Sequence, residues 1–252
     1  MNECSQFDEE IRFSYIFEQD EKNFIPWVNE DIFAARALNK ISTKLLSYLP
    51  YYQRHPYELK AGVHVPAELG NVELTSPVNV LVCRANRGSL EVVREAQSIL
   101  GRRNALFLTI SDPIADADEL EEYFSETEET ISVSTQEEKK HVFVFYLNEE
   151  ICQEDAEELT ILLKRAIDLN IEIILLHELD PQRGGCEFGL FFQITPRELI
   201  DDPYKIYGRS IAIPLHGHVD YREPGLNRFV RLLGAKEVKK RMSANMSQKA
   251  SC

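Results

Sequence analysis

The chain is short of paired cysteines, of basic residues and of long apolar runs, and each shortage removes a class of function. Its five cysteines (Cys4, Cys83, Cys152, Cys186, Cys252) are scattered and include no C-x-x-C pair. That spacing supports neither a disulfide framework nor a zinc site. It fits a reduced, cytoplasmic chain. Lysine and arginine total 28 against 42 aspartates and glutamates, giving a formal net charge of -14. Phosphate backbones are held by clustered Lys and Arg, so this balance argues against a general nucleic-acid partner. No apolar run approaches the roughly 20 residues that cross a bilayer. The acidic opening Met1–Glu10 has no apolar core and is not expected to be a secretory signal.

What the chain does have is a series of short β-branched runs separated by helical periodicity. Val78–Cys83, Ala105–Ile110, His141–Leu147, Ile171–Leu176 and Ser210–Leu215 read as strands. Runs this continuously apolar suit strands covered on both faces, hence a parallel sheet. Between them, Leu90–Leu100 reads as a helix, with Ser89 as N-cap and Gly101 just past its end. Further helices are expected at about 154–169, at 195–200 with Thr195 as cap and Pro196 first in the helix, and at 225–233. The alternation predicts an α/β domain over 78–235, a flavodoxin-like five-stranded parallel sheet with helices on both faces. No G-x-G-x-x-G follows the first strand, which disfavours a Rossmann domain. That strand ends in Cys83 and Arg84 rather than in acids, which disfavours a phospho-receiver.

The remaining segments frame this domain. Residues 1–77 read as a helical N-terminal extension with one amphipathic helix at about 29–49, ended by Pro50. The scattered aromatics of 1–28 are expected to pack across the main domain, and 58–77 to be an extended linker. The glutamate-rich stretch 115–138 is expected to hold one short helix near 120–124, and 236–252 to be a disordered tail.

Chemistry is densest after the fourth strand, in His177, Glu178, Asp180, Arg183, Gly184, Gly185 and Cys186. The two glycines suit positive φ in a tight turn, and Arg183 and Asp180 can pair. His177 and Glu178 are either functional or bonded to the loop backbone. Cys186 beside His177 lacks an orienting partner and reads as packed rather than nucleophilic. A second concentration, Arg84, Asn86, Arg87 and Ser89, lies between a strand and a helix N-terminus, where backbone N–H groups attract phosphate. These are the candidate nucleotide contacts, with arginines pairing against an acidic surface as the alternative. His216 and His218 are too close to share a tetrahedral site without further ligands, so no metal is expected.

Together these residues carry a resemblance. Val80–Cys83, Phe143–Asn148, Ala166–Glu178 and Gly184–Phe188, followed by Thr195-Pro196 and Pro214-Leu215, resemble a Toll/interleukin-1 receptor (TIR)-like domain. The likeness is greatest to the divergent modules of unicellular eukaryotes such as algae and oomycetes, and covers roughly 78–235. It implies two modes of action. One is a signalling module that associates with itself or with other TIR-like domains through the loop after the second strand, here Asp112, Pro113 and Ile114. The other is a nucleosidase that cleaves NAD with a Glu on the helix after the third strand. At that family position this sequence has Leu162, with Glu158 one turn earlier and Glu157 beside it. Either carboxylate would stabilise an oxocarbenium-like state and direct water, against the plain alternative of acids favouring a helix N-terminus. The expectation is a cytoplasmic signalling module that needs no cofactor. NAD cleavage, or nucleotide sensing without cleavage, is the alternative.

Overall fold

The computed structural model describes residues 25, 27, 31–60, 63, 65, 72–100, 105–123, 139–151 and 155–237. The chain divides into two compact units, Met1–Glu68 and Leu69–Cys252.

In the first unit the predicted amphipathic helix is α1 (Asp31–Ser47), which buries Phe33, Ala35 and Ala37. Asn39 Nδ2 donates to the Val63 carbonyl at 2.5 Å. Pro50 does more than stop α1: it opens a second short helix, α2 (Pro50–Arg54), where its missing N–H costs nothing. A third helix, α3 (Pro56–Lys60), occupies the start of what reads as linker in the sequence. Tyr51 stacks on His55 with ring centroids 4.5 Å apart. Of the segment expected to pack across the main domain, only Ile25 and Trp27 lie among the described residues.

The second unit is built on a five-stranded parallel sheet. Its strands are β2 (Val78–Leu81), β3 (Leu108–Ile110), β4 (Lys140–Leu147), β5 (Glu172–Glu178) and β6 (Ile213–Leu215), in spatial order β3-β2-β4-β5-β6. This is the flavodoxin-like order expected from the sequence, and the order reverses direction between β2 and β4. A two-residue strand, β1 (Val72–Glu73), pairs antiparallel with β7 (Lys236–Glu237). Two segments read as linker and tail therefore meet in a small ladder. Two residues a side carry too little periodicity for such a ladder to be read in advance.

Alternation along β4 divides the core. Val142, Val144 and Tyr146 face one side, with Val92, Val93 and Ala96 of α4 (Ser89–Ile99) and Leu226, Phe229 and Val230 of α9 (Val219–Leu232). Phe143, Phe145 and Leu147 face the other, with Leu159, Leu162, Leu163 and Ala166 of α5 (Ala156–Asp168). Three short helices, α6 (Phe188–Ile194), α7 (Arg197–Ile200) and α8 (Ile206–Arg209), complete that second layer through Phe191, Leu199 and Ile206. At about 1.5–3 kcal/mol for each large apolar side chain fully removed from water, these two layers hold the helices onto the faces of the sheet.

Several expected caps shift. Ser89 is the first helical residue, and the N-cap position is Gly88 at φ 84°. Pro196 is the N-cap of α7, with Arg197 first in the helix. Gly101 lies outside the described residues. The short helix expected at 120–124 covers 117–123 among the described residues, and 124 lies outside them. Helix α9 begins at Val219, six residues earlier than predicted, and carries Pro224 inside it.

Candidate functional site

The carboxyl ends of β2, β4 and β5 meet around Tyr146. Asn86, in the loop after β2, clasps the Tyr146 backbone: its Oδ1 accepts from Tyr146 N at 2.8 Å and its Nδ2 donates to Tyr146 O at 2.7 Å. The amide thus continues the β2–β4 ladder beyond Leu81 and Phe143. Asn148 ties the same loop down, donating from Nδ2 to the Arg87 carbonyl at 3.3 Å. Between these contacts Gly88 takes its left-handed conformation against the tyrosine. A Cβ there would lie 2.6 Å from Tyr146 Cε1. The loop is thus pressed onto the ring, and α4 starts directly above it.

Beneath the ring is a buried polar network. The Tyr146 hydroxyl donates to Glu178 Oε2 at 2.7 Å. Arg222 Nη1 donates to both Glu178 oxygens at 3.0 Å. Glu178 Oε1 also accepts the backbone N–H groups of Leu179 at 3.1 Å and Asp180 at 2.9 Å. Glu178 is fully buried and Arg222 is 4% exposed. Arg222 Nε continues the network to Glu95 Oε1 at 2.7 Å, while Arg183 reaches Glu95 Oε2 at 3.0 Å from the rim. Burial, then the bond to Glu178, raises the tyrosine hydroxyl above its ordinary range. Tyr146 is therefore a neutral donor at physiological pH.

Above the ring opens a cleft of about 320 Å³. Arg87, Glu91, Glu149, Glu150 and Arg183 line it together with Gly88, Tyr146 and Gln182. The loops after β4 and β5 are joined there by Glu149 N donating to the Gly184 carbonyl at 2.7 Å. Two arginines and three glutamates thus line the cleft beside the start of α4, at the switch point of the sheet. Arginines suit phosphate, and carboxylates suit hydroxyl donors or a cationic ring. The volume is at the low end of the roughly 300–1,000 Å³ range of small-molecule sites, room for a group of mononucleotide size.

The loop after β5 is shaped by its own hydrogen bonds. Asp180 Oδ1 accepts from Gln182 N at 3.0 Å, and Asp180 O accepts from Gly185 N at 2.8 Å. Gly184 has φ 74°, as the turn was expected to need. Gly185 is required for a different reason: a Cβ would meet the Leu179 and Asp180 backbone at 2.4–2.6 Å. Arg183 is 3.9 Å from its expected partner Asp180, so Glu95 is its principal partner. His177 donates from Nε2 to the Cys186 carbonyl at 2.7 Å, since a carbonyl only accepts, and its ring meets Phe188 and Phe191 edge-on. Burial raises the Cys186 thiol, and pushes that of buried Cys83 to about 11. Both thiols are protonated at neutral pH, the form unsuited to nucleophilic work.

The sequence-derived candidates therefore separate. Arg87 and Arg183 reach the cleft. Asn86 and Ser89 are buried and serve the loop itself, with Ser89 Oγ donating to the Cys83 carbonyl at 3.4 Å. Arg84 is exposed and is not part of the cleft lining. Glu157 and Glu158 are exposed on the first turn of α5, also outside that lining, and Leu162 is buried in the core. In the loop after β3, Asp112 is exposed and Pro113 half-buried, but Ile114 is 2% exposed and bridges to Cys83. It packs inward rather than presenting a surface. His218 caps α9, accepting at Nδ1 from Asp220 N. Among the described residues no cluster of His, Cys, Asp or Glu is arranged to hold a metal, and no helix is long and apolar enough to span a membrane.

Glu95, Arg222, Tyr146, Glu149 and Glu150 were missed in the sequence. Glu178 carried the one usable signal, because a carboxylate ending a run of buried strand residues requires a partner from elsewhere. No protein-family model, curated protein or solved structure matches the chain.

Proposed function

We propose that the chain is a TIR-like module whose α/β domain binds a nucleotide carrying ribose and phosphate, NAD foremost, in the cleft over Tyr146. The observation that carries this reading is the meeting of Arg87 and Arg183 with Glu91, Glu149 and Glu150 at the sheet's switch point. Open α/β sheets hold ligands at such points. The arginines would take phosphate, and the carboxylates would accept from ribose hydroxyls. On this reading, any cleavage of the ribosyl bond would draw its carboxylate from Glu149 or Glu150, which border the cleft, rather than from Glu157 or Glu158. Self-association is the second reading, and the exposure of Asp112 beside Pro113 favours it.

Calorimetric titration with NAD and with ADP-ribose tests nucleotide binding. Saturable binding weakened by Arg87→Ala and Arg183→Ala would support it, and no binding of either compound would overturn it. Nicotinamide release, compared between Glu149→Gln, Glu150→Gln and the pair Glu157→Ala with Glu158→Ala, then separates binding from turnover. Loss of turnover only in the last variant would return the catalytic role to α5.

A further inference from the structure

The helices of the first unit carry an apolar surface with little beneath it. Helix α1 buries Phe33, Ala35 and Ala37 in its first half. From Leu38 to Leu59 no residue is buried, although ten of them are Leu, Ile or Tyr. Among the described residues, six of the fourteen exposed large hydrophobic side chains fall between Leu38 and Tyr57, with Leu45 at 64%, Tyr48 at 66% and Tyr57 at 64%. Single exposed leucines are ordinary, but a group of this size on three short helices is not. Such helices are held chiefly by burying an apolar face, and here that face is on the outside.

The pattern of this face says what covers it. Leu38, Ile41 and Leu45 of α1, with Tyr48 just past its end, follow a three-four-three spacing. That is the spacing with which one helix meets another. Beside it the rings of α2 and α3 are already ordered: Tyr51 stacks on His55, and His55 meets Tyr57 edge-on at 5.9 Å. Rings fixed in advance lose little freedom on association, and tyrosines are common anchors of interfaces. At about 150–250 Å² for an aromatic side chain, the exposed parts of the six side chains reach several hundred Å², the scale of the ~800 Å² that each partner gives to a stable interface. Charge points to the same occupant. The chain has 42 aspartates and glutamates, yet none between Leu38 and Tyr57. Copies of a chain of net charge -14 repel through their acidic surfaces, and this stretch contributes nothing to that repulsion.

We propose that this face of the first unit is a contact between two copies of the chain. The two α1 seams interdigitate about a two-fold axis, and Leu49, Tyr51 and Tyr57 widen the contact beyond the seam. The contact uses α1–α3 alone and is separate from the loop after β3.

Sedimentation equilibrium of the full chain from about 1 to 100 μM tests the proposal. Expected is a reversible dimer whose dissociation constant rises about tenfold or more in Leu45→Glu and in Tyr48→Glu, with a monomer when both are changed. Leu106→Glu, at an equally exposed position outside the face, should leave the dimer intact. At concentrations where the parent is monomeric, Leu45→Glu and Tyr48→Glu should melt like it. A parent that stays monomeric throughout, or a dimer that survives the double change, would overturn the proposal. So would equal dissociation by Leu106→Glu. Variants that melt lower as monomers would assign the face to packing within its own chain. A monomeric parent that binds phosphatidylserine vesicles, with binding lost in the same variants, would assign it to a lipid surface. Either result would equally overturn the proposal.

Discussion

Arg222 holds Glu178 through a single nitrogen, Nη1, placed 3.0 Å from both carboxylate oxygens, and water reaches almost nothing of either side chain. The pair links α9 to the carboxyl end of β5. Removing one partner strands a buried charge, which costs about 3–5 kcal/mol. Replacing both with apolar groups of similar size removes that penalty. Arg222→Met should therefore lower the denaturant midpoint sharply. Arg222→Met combined with Glu178→Leu should recover part of the loss, although the Leu179 and Asp180 amides lose an acceptor. Urea unfolding of the three proteins checks this. A double variant no more stable than the single one would show that the backbone bonds to Glu178, not the charge, hold the loop.

The second prediction concerns Gly185. Its Cβ would collide with main-chain atoms of Leu179 and Asp180, which cannot rotate away as a side chain can. Gly185→Ala should therefore move the whole 179–185 turn and cost about 2 kcal/mol or more, within the range of severe backbone strain. At Gly184 the obstacle is the left-handed conformation, with φ 74°, and asparagine tolerates it best. Gly184→Asn should cost less than Gly185→Ala. Thermal melts of the two variants provide the comparison.

The central strands were legible because a parallel sheet covered on both faces leaves a continuous apolar trace, as Val142–Leu147 shows, whereas the runs 105–110 and 210–215 are strand only in their second halves, Leu108–Ile110 and Ile213–Leu215. The short helices α6 and α8 were not. Phe188–Ile194 contains a glycine and no polar face, so its helix comes from packing of Phe188 and Phe191 rather than from propensity. Helix α9 was read too short because Pro224 marks a helix start by the ordinary rule. In the structure, Pro224 is buried within the helix beside the packed turn of Tyr221 and Arg222. The network was hidden for a different reason: Glu95 and Arg222 stand 127 positions apart, each on a helix whose polar residues look solvent-facing. Only the topology brings α4 and α9 to the same side of the sheet.

The third prediction is a pH dependence. Burial lowers His177 from its ordinary 6.5, against the opposing effects of the Cys186 carbonyl and the Glu178 charge. Burial and Lys139 lower His141 in the same direction. Both rings bind a proton more readily in the unfolded chain, so stability rises with pH between the folded value and 6.5. It is complete above that window and lost as pH falls through it. The melting temperature should therefore fall as the pH drops below 6.5. The histidine share is read from His177→Gln, which should flatten the slope below pH 6.5. An unchanged slope would assign the acid sensitivity elsewhere.

The last prediction separates binding from stability within one network. Arg183 and Arg222 share Glu95, but the Arg183 side chain is 45% exposed and that of Arg222 only 5%. An exposed ion pair contributes about 0–1 kcal/mol. A bond from a charged donor to a ligand phosphate is stronger, at about 1.5–3 kcal/mol. Arg183→Ala should therefore leave the melting temperature nearly unchanged while weakening NAD binding about tenfold or more. Arg222→Met should do the opposite: a large loss of stability, with affinity reduced only as far as the loop after β5 loosens. Arg183→Lys keeps the charge but not the fork that can grip Glu95 and phosphate together, so it should recover only part of the affinity. Calorimetry and melting on the three variants resolve the pattern. If Arg183→Ala lowers the melting temperature as much as Arg222→Met and leaves NAD affinity intact, Arg183 belongs to the scaffold rather than to the ligand.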